Sequence, residues 1–127
     1  MSQNGQSGTK QLFCLIALGS NVKGNDNSSA DIIRKAITEI SKSIGKVLVA
    51  SPLYRTPCFP AGAGPDYANA VIRIETHFPP QEILSLLHEI EAAFGRVRDV
   101  RWGQRTLDLD LIACDGMVLP DERTQRF

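Results

Sequence analysis

Residues 68–78 read Ala-Asn-Ala-Val-Ile-Arg-Ile-Glu-Thr-His-Phe. Ala68, Ala70, Ile72 and Ile74 fall on one side of a period-two repeat. Asn69, Arg73, Glu75 and His77 fall on the other, with Val71 among them. That alternation belongs to a strand that buries one face and wets the other. Half-wet strands are typical of antiparallel sheets. After this stretch, Pro79 and Pro80 open a helix, where proline is tolerated because first-turn N–H groups have no partner in any case. Ile83, Leu84, Leu87, Ile90 and Phe94 recur at helical spacing, and Gly95 is expected to end the helix. Before it, residues 55–67 hold Pro57, Pro60, Gly62, Gly64 and Pro65. A loop of that length in a small domain tends to carry function.

Further out the same contrast of periods continues. Lys46 to Tyr54 is a strand candidate, with Pro52 near its end marking an edge or a break. A helix is expected over Ser29 to Ser43, capped by Ser28 with Asp31 three residues on. Its apolar face is Ile32, Ile33, Ala36, Ile37, Ile40 and Ile44, with Gly45 just past the end. Leu12 to Leu18 (LFCLIAL) is a continuous apolar run bounded by Gly19-Ser20-Asn21, the pattern of a buried central strand. Thr106 to Ile112 alternates again, and Asp115-Gly116 signals a tight turn into Met117 to Leu119. The order is β-α-β-β-α-β with a short added strand. It predicts an α+β, ferredoxin-like fold, an antiparallel sheet with helices packed on one face. One domain is expected over residues 12–127, preceded by a disordered N-terminal arm, 1–11.

Composition narrows the function. The chain has 127 residues, and its 14 basic and 14 acidic side chains cancel, which disfavours a bulk-charge binder of nucleic acid. With 43% hydrophobic residues it is unlike a disordered chain. No apolar run approaches the roughly 20 residues of a membrane helix, and the polar opening Met1 to Lys10 does not resemble a signal peptide. Cys14, Cys58 and Cys114 are an odd set without CxxC spacing. They argue against a disulfide scaffold or a zinc site and for the reducing cytoplasm, as small buried hydrophobes.

Two acids and a loop carry the chemistry. Asp108 and Asp110 sit at i and i+2 in a strand, so they leave the same face about 6.6 Å apart along it, with Leu107, Leu109 and Leu111 on the other. Asp is depleted in strands. Paired carboxylates suit Mg²⁺, which takes a few protein oxygens and leaves room for phosphates; the plain alternative is a solvated strand face. Just before them, Gly95 to Arg105 (GRVRDVRWGQR) carries Arg96, Arg98, Arg101 and Arg105 against a single Asp99. Guanidinium groups bind phosphate oxygens bidentately and keep their charge. Arginines beside a carboxylate-bound metal are the parts of phosphoryl transfer. Trp102, the single tryptophan, stands in this polar loop and either stacks on a flat ligand or packs on the surface. Tyr67 and Asn69 flank the other loop; an Asn amide can read a heterocycle edge. His88, Glu89 and Glu91 lie on or beside the polar face of the second helix. Neither GxxxxGK[ST] nor GxGxxG is present.

Several of these stretches, in order, resemble one family. Arg101 to Asp110 (RWGQRTLDLD) is similar to the signature of 6-hydroxymethyl-7,8-dihydropterin pyrophosphokinase, a folate-pathway enzyme. Leu15 to Asn21 (LIALGSN), Ser51 to Pro57 (SPLYRTP), Pro65 to Asn69 (PDYAN) and Phe94 to Arg98 (FGRVR) resemble further segments of it, and the likeness covers roughly residues 12–124. The resemblance implies transfer of pyrophosphate from the co-substrate ATP to the hydroxymethyl oxygen of the reduced pterin, releasing AMP, with two Mg²⁺ ions. By motif match Asp108 and Asp110 hold the metals, and Arg96 and Arg105 stabilise the transferring phosphates. His88, Glu91, Arg98, Arg101, Arg123 and the backbone of Leu111 lie on the ATP side. Thr56, Pro57, Phe59, Tyr67 and Asn69 frame the pterin, and Trp102 closes over it. The partners implied are small-molecule substrates, without nucleic acid or membrane; no oligomeric state is implied.

There are departures. Gln104 stands where the family usually has proline, and His88 where glutamine is common. Members also continue past the position of Phe127 with a Pro-His segment, an arginine and a phenylalanine, so the resemblance implies a C-terminally incomplete domain. A non-catalytic pterin or nucleotide binder on the same scaffold is the alternative. An RNA-binding module shares the element order, but here residues 68–78 offer no aromatic before Phe78 and residues 12–18 only Phe13.

Overall fold

The computed structural model describes residues 11–22, 28–57, 66–97, 107–115 and 117–118. Strand β1 (Leu12–Ser20) takes the centre of the sheet. It is paired antiparallel on one side with β4 (Tyr67–Thr76) and on the other with β5 (Asp108–Cys114). β2 (Lys46–Ala50) and β3 (Tyr54–Thr56) both pair with β4, and β6 (Met117–Val118) pairs with β5. The order is β2-β4-β1-β5-β6, with β3 beside β4. Helix α1 (Ser28–Ser43) joins β1 to β2, and these strands run parallel with β4 inserted between them, the split βαβ arrangement.

Helices α1 and α2 (Pro80–Val97) pack on one face of this sheet. Cys14, Ile16 and Leu18 of β1, Ala70, Ile72 and Ile74 of β4, and Leu109 and Leu111 of β5 bury against Ile32, Ile33, Ala36 and Ile40 of α1 and Ile83, Leu87 and Ile90 of α2. The other face is open among the described residues. The apolar run of β1 is therefore buried on one side only: Phe13 and Leu15 are 39% and 38% exposed. Continuous hydrophobicity suits a strand covered on both faces, and here it marks the central position.

Several boundaries differ from expectation: β1 runs on to Ser20, and β4 spans Tyr67–Thr76 instead of residues 68–78. The strand expected over residues 46–54 is two strands. Ser51 takes both hydrogen bonds that Val71 offers, its N–H donating to the Val71 carbonyl (2.8 Å) and its Oγ accepting from the Val71 N–H (2.9 Å). Pro52 follows, with no N–H to continue the ladder. The second helix does not stop at Gly95 but runs to Val97; glycine costs a helix stability without breaking it. The last long strand is Asp108–Cys114 instead of residues 106–112, and Thr106 lies outside the described residues. Leu111 pairs with Ile16 but Ala113 pairs with Leu15, so Ile112 is an inserted bulge residue. The Asp115-Gly116 turn is present at Asp115, which adopts φ 49°, a region that Asp tolerates.

Gly45 and Gly95 make a sharp contrast. A Cβ on Gly45 would run into the Glu75 carbonyl oxygen and lie 2.8 Å from Thr76 Cβ, whereas at Gly95 nothing lies within 4 Å. Gly45→Ala is expected to destabilise the fold by about 1–3 kcal/mol. Gly95→Ala is expected to stabilise it by about 0.5–1 kcal/mol, since alanine restricts the unfolded chain. Urea unfolding of the two variants should shift in opposite directions.

Candidate active site

The open face of the sheet gathers the polar residues. Leu107, just before β5, and Leu109 and Leu111 within it are buried on the helix side, so Asp108 and Asp110 turn to the open side, each half-buried. The register across the strands then sets their neighbours. Asp108 lies opposite Gly19, Gly19 opposite Asn69, and Asn69 opposite Tyr54. Asp110 lies opposite Ala17, which faces Val71, and Thr56 lies opposite Tyr67. Adjacent strands stand about 4.8 Å apart. Asp108 and Asn69 are thus two strand spacings apart, about 9.6 Å, with only Gly19 between them.

Gly19 leaves that interval bare. A Cβ there would meet Asn69 Oδ1 at 3.4 Å, which places the amide oxygen over the glycine. The Asn69 amide nitrogen is turned the other way, donating to Thr56 Oγ1 at 3.0 Å and reaching the Tyr54 and Tyr67 carbonyls at 3.5 and 3.4 Å. The shorter bond is the strong one. Thr56 thereby fixes which end of the amide faces the site: an acceptor suited to a ligand N–H. Tyr54 and Tyr67, 49% and 36% exposed, stand beside this row. Residue-type reasoning passed over Tyr54 and Gly19. Their signal was register: both are cross-strand partners of Asn69.

The edge of β5 forms the second part. Glu91 of α2 accepts the Leu109 N–H at Oε2, 2.7 Å away. This N–H therefore points away from β1, and two residues on the Leu111 backbone points the same way. Among the described residues β6 pairs only with Ala113 and Cys114, so no strand stands beside Leu109–Leu111 on that side. Leu111 as a residue is buried, 7% exposed. His88 is exposed on α2, three residues before Glu91 and so on the same side of the helix. Glu91 itself is tied to the strand backbone, a role its place on a polar helix face did not foretell.

The remaining expected residues fall as follows. Pro57 is exposed directly after β3. Arg96 lies in the last turn of α2. Phe59, Arg98, Arg101, Trp102, Arg105 and Arg123 lie outside the described residues, as does Cys58. A separate groove of about 700 Å³ runs between the helices, lined by Ile32, Lys35, Glu39, Ile90 and Phe94. It is on the helix side of the sheet, opposite the two acids.

A family model described as 7,8-dihydro-6-hydroxymethylpterin-pyrophosphokinase (HPPK) matches residues 15–127. The chain belongs to this family. Among its relatives is the 2-amino-4-hydroxy-6-hydroxymethyldihydropteridine pyrophosphokinase of Haemophilus influenzae, 39% identical over 109 residues, which are 85% of this chain and 66% of that one. The enzyme of the same name from Pseudomonas putida is 36% identical over 109 residues, covering 85% of this chain and 87% of that one. The Arabidopsis thaliana mitochondrial folate synthesis bifunctional protein is 34% identical over 116 residues, 20% of its length. The chain thus spans about two thirds of the length of the Haemophilus HPPK and a fifth of the plant protein. The fold agrees with a crystal structure of a Plasmodium falciparum HPPK-DHPS triple mutant with pteroate, at TM-score 0.63 and 11% identity, covering 94% of this chain and 31% of that one.

Removing the Glu91 carboxylate strands the Leu109 N–H. Glu91→Ala is expected to cost about 1–3 kcal/mol of stability, and Glu91→Gln, which keeps an acceptor oxygen, clearly less. Chemical denaturation of the two variants measures the difference.

Proposed function

We propose that this chain transfers pyrophosphate from ATP to 6-hydroxymethyl-7,8-dihydropterin, releasing AMP, as a step of folate biosynthesis. The observation that carries this reading is the row Asp108–Gly19–Asn69 on the open sheet face of a chain in the HPPK family. It sets Asp108 of the carboxylate pair one bare glycine away from an oriented amide, so that a metal-bound phosphate chain and a flat heterocycle could lie side by side on this face.

The donor set fits Mg²⁺. Asp108 and Asp110 offer oxygens on one face at the i, i+2 spacing, and Mg²⁺ is held by one or two carboxylates together with substrate phosphates and water. Among the described residues no third His, Cys, Asp or Glu joins them, in keeping with a site that nucleotide oxygens complete. Two Mg²⁺ ions, when bound, neutralise charge on the phosphates and the attacking oxygen. The chain's own residues position the substrates. Asn69 Oδ1 accepts an N–H of the pterin edge, with Thr56 holding the amide and Pro57, Phe59 and Tyr67 framing the ring. His88, Glu91, Arg98, Arg101, Arg123 and the outward backbone of Leu111 serve the nucleotide. Arg96 and Arg105 meet the charge that develops on the transferring group. Trp102 covers the pterin and, with its loop, keeps water from ATP.

No helix among the described residues is long and apolar enough to cross a membrane. The proposed setting is cytoplasmic, with small-molecule substrates and no nucleic-acid partner.

The deciding experiment follows AMP from ATP, Mg²⁺ and the reduced pterin, with pterin-free and EDTA controls. AMP that requires both pterin and metal is expected; AMP without pterin, or none at all, overturns the activity. Asp108→Ala and Asp110→Ala are each expected to bring turnover below detection while the circular dichroism spectrum and melting temperature stay near those of the parent. Trp102→Ala is expected to lower pterin-dependent turnover more than ATP affinity, read by comparing kcat/KM for the pterin with nucleotide titration.

A further inference from the structure

The proposed reaction makes no use of the two buried cysteines. Cys14, near the start of β1, and Cys114, the last residue of β5, are direct register partners. They are free thiols, 1% and 4% exposed. Their Sγ atoms stand 2.7 Å apart in an S–H···S hydrogen bond. Opposed residues of antiparallel strands have Cα atoms about 4.5 or 5.5 Å apart. Both values fall within the roughly 4.4–6.8 Å that a disulfide spans. The neighbouring residues hold this register: the Asp115 N–H donates to the Phe13 carbonyl (2.7 Å), and the Phe13 N–H donates to Asp115 Oδ1 (2.8 Å). The sulfurs can be joined without moving either strand.

We propose that Cys14 and Cys114 are an oxidation-dependent modification site that closes to a cross-strand disulfide, with hydrogen peroxide as the oxidant. One cysteine sulfur attacks a peroxide oxygen. The O–O bond breaks, leaving a sulfenic acid, and one water departs. The second cysteine sulfur then attacks the sulfenic sulfur. The S–O bond breaks, the S–S bond forms, and a second water departs. In sum the two thiols give up two electrons and two protons, and the peroxide is reduced to two waters.

Burial comes first among the causes that push the Cys14 thiol well above its ordinary range, followed by its hydrogen bond to Cys114 and the charges of Cys114 and Asp115. Cys14 is thus protonated at neutral pH, the dithiol is the resting form, and closure is slow. Its consequence is for stability. Cys114 lies six residues along β5 from Asp108, about 20 Å, so closure leaves the acids in place. The loop it closes runs from residue 14 to 114 and takes in both helices, so the bond restrains nearly the whole unfolded chain.

The test treats the full chain with hydrogen peroxide, alkylates it in denaturant, and reads intact mass and a peptide map. The expected result is a loss of about 2 Da before alkylation, a single alkylated thiol at Cys58 and a linked peptide pair containing Cys14 and Cys114. The protein should stay monomeric on a non-reducing gel, return to the dithiol with dithiothreitol, and melt several degrees higher when oxidised. Cys58→Ser should keep the link and Cys14→Ala should lose it. The map of the parent protein decides the matter even where a variant folds poorly. Three alkylated thiols after oxidation, a gain of oxygen without a link, or a link through Cys58 would each overturn the proposal.

Discussion

Pairing of β1 with β4 on one side and β5 on the other is the constraint on which the rest depends. Side chains alternate with a period of two, so one slip of register would turn every residue of a strand to the opposite face. In β5 that slip would exchange Leu109 and Leu111 for Asp108 and Asp110 under the helices. Burying two carboxylates without partners costs far more than any local preference could offset. The core and the site are thus two faces of the same ladder. Ile16 and Leu18 hold the register from below, and Ala17 and Gly19 present its consequences above.

Small local devices refine what the ladder sets. The bulge at Ile112 lets β5 pass from the stretch that carries the acids to the stretch that pairs with β6. Glu91 ties α2 to the outer edge of β5 at Leu109, fastening the helix to the strand that carries the two acids. Thr56 does the same for the amide of Asn69 from the other flank. Each of these contacts removes a freedom that would otherwise blur a short-range geometry.

The two ends of the β1–β5 ladder have different characters. At one end, Gly19 and Asp108 open a polar site. At the other, Cys14 and Cys114 meet in the core beneath the Phe13–Asp115 clasp. An event at the sulfurs can thus alter how firmly the two strands are held without reshaping the face where the acids lie.

Local periodicity was enough to read the element order, because whether a segment is strand or helix depends on neighbours two to four residues away. The strand Tyr67–Thr76, read as residues 68–78, the faces of α1 and α2 except for Leu84, which is exposed, and the outward turn of Asp108 and Asp110 were legible on that basis. Residue chemistry marked Tyr67 and Asn69, and the family resemblance placed Thr56 with them, before their strands were seen side by side. The break at Ser51, the bulge at Ile112, the cap from Glu91 and the meeting of Cys14 with Cys114 were not legible. Each is a contact between residues 18 to 100 positions apart, or a consequence of one. Such partners come together only when the whole sheet closes, since it is the burial of the shared core, and no preference within either segment, that brings them into reach.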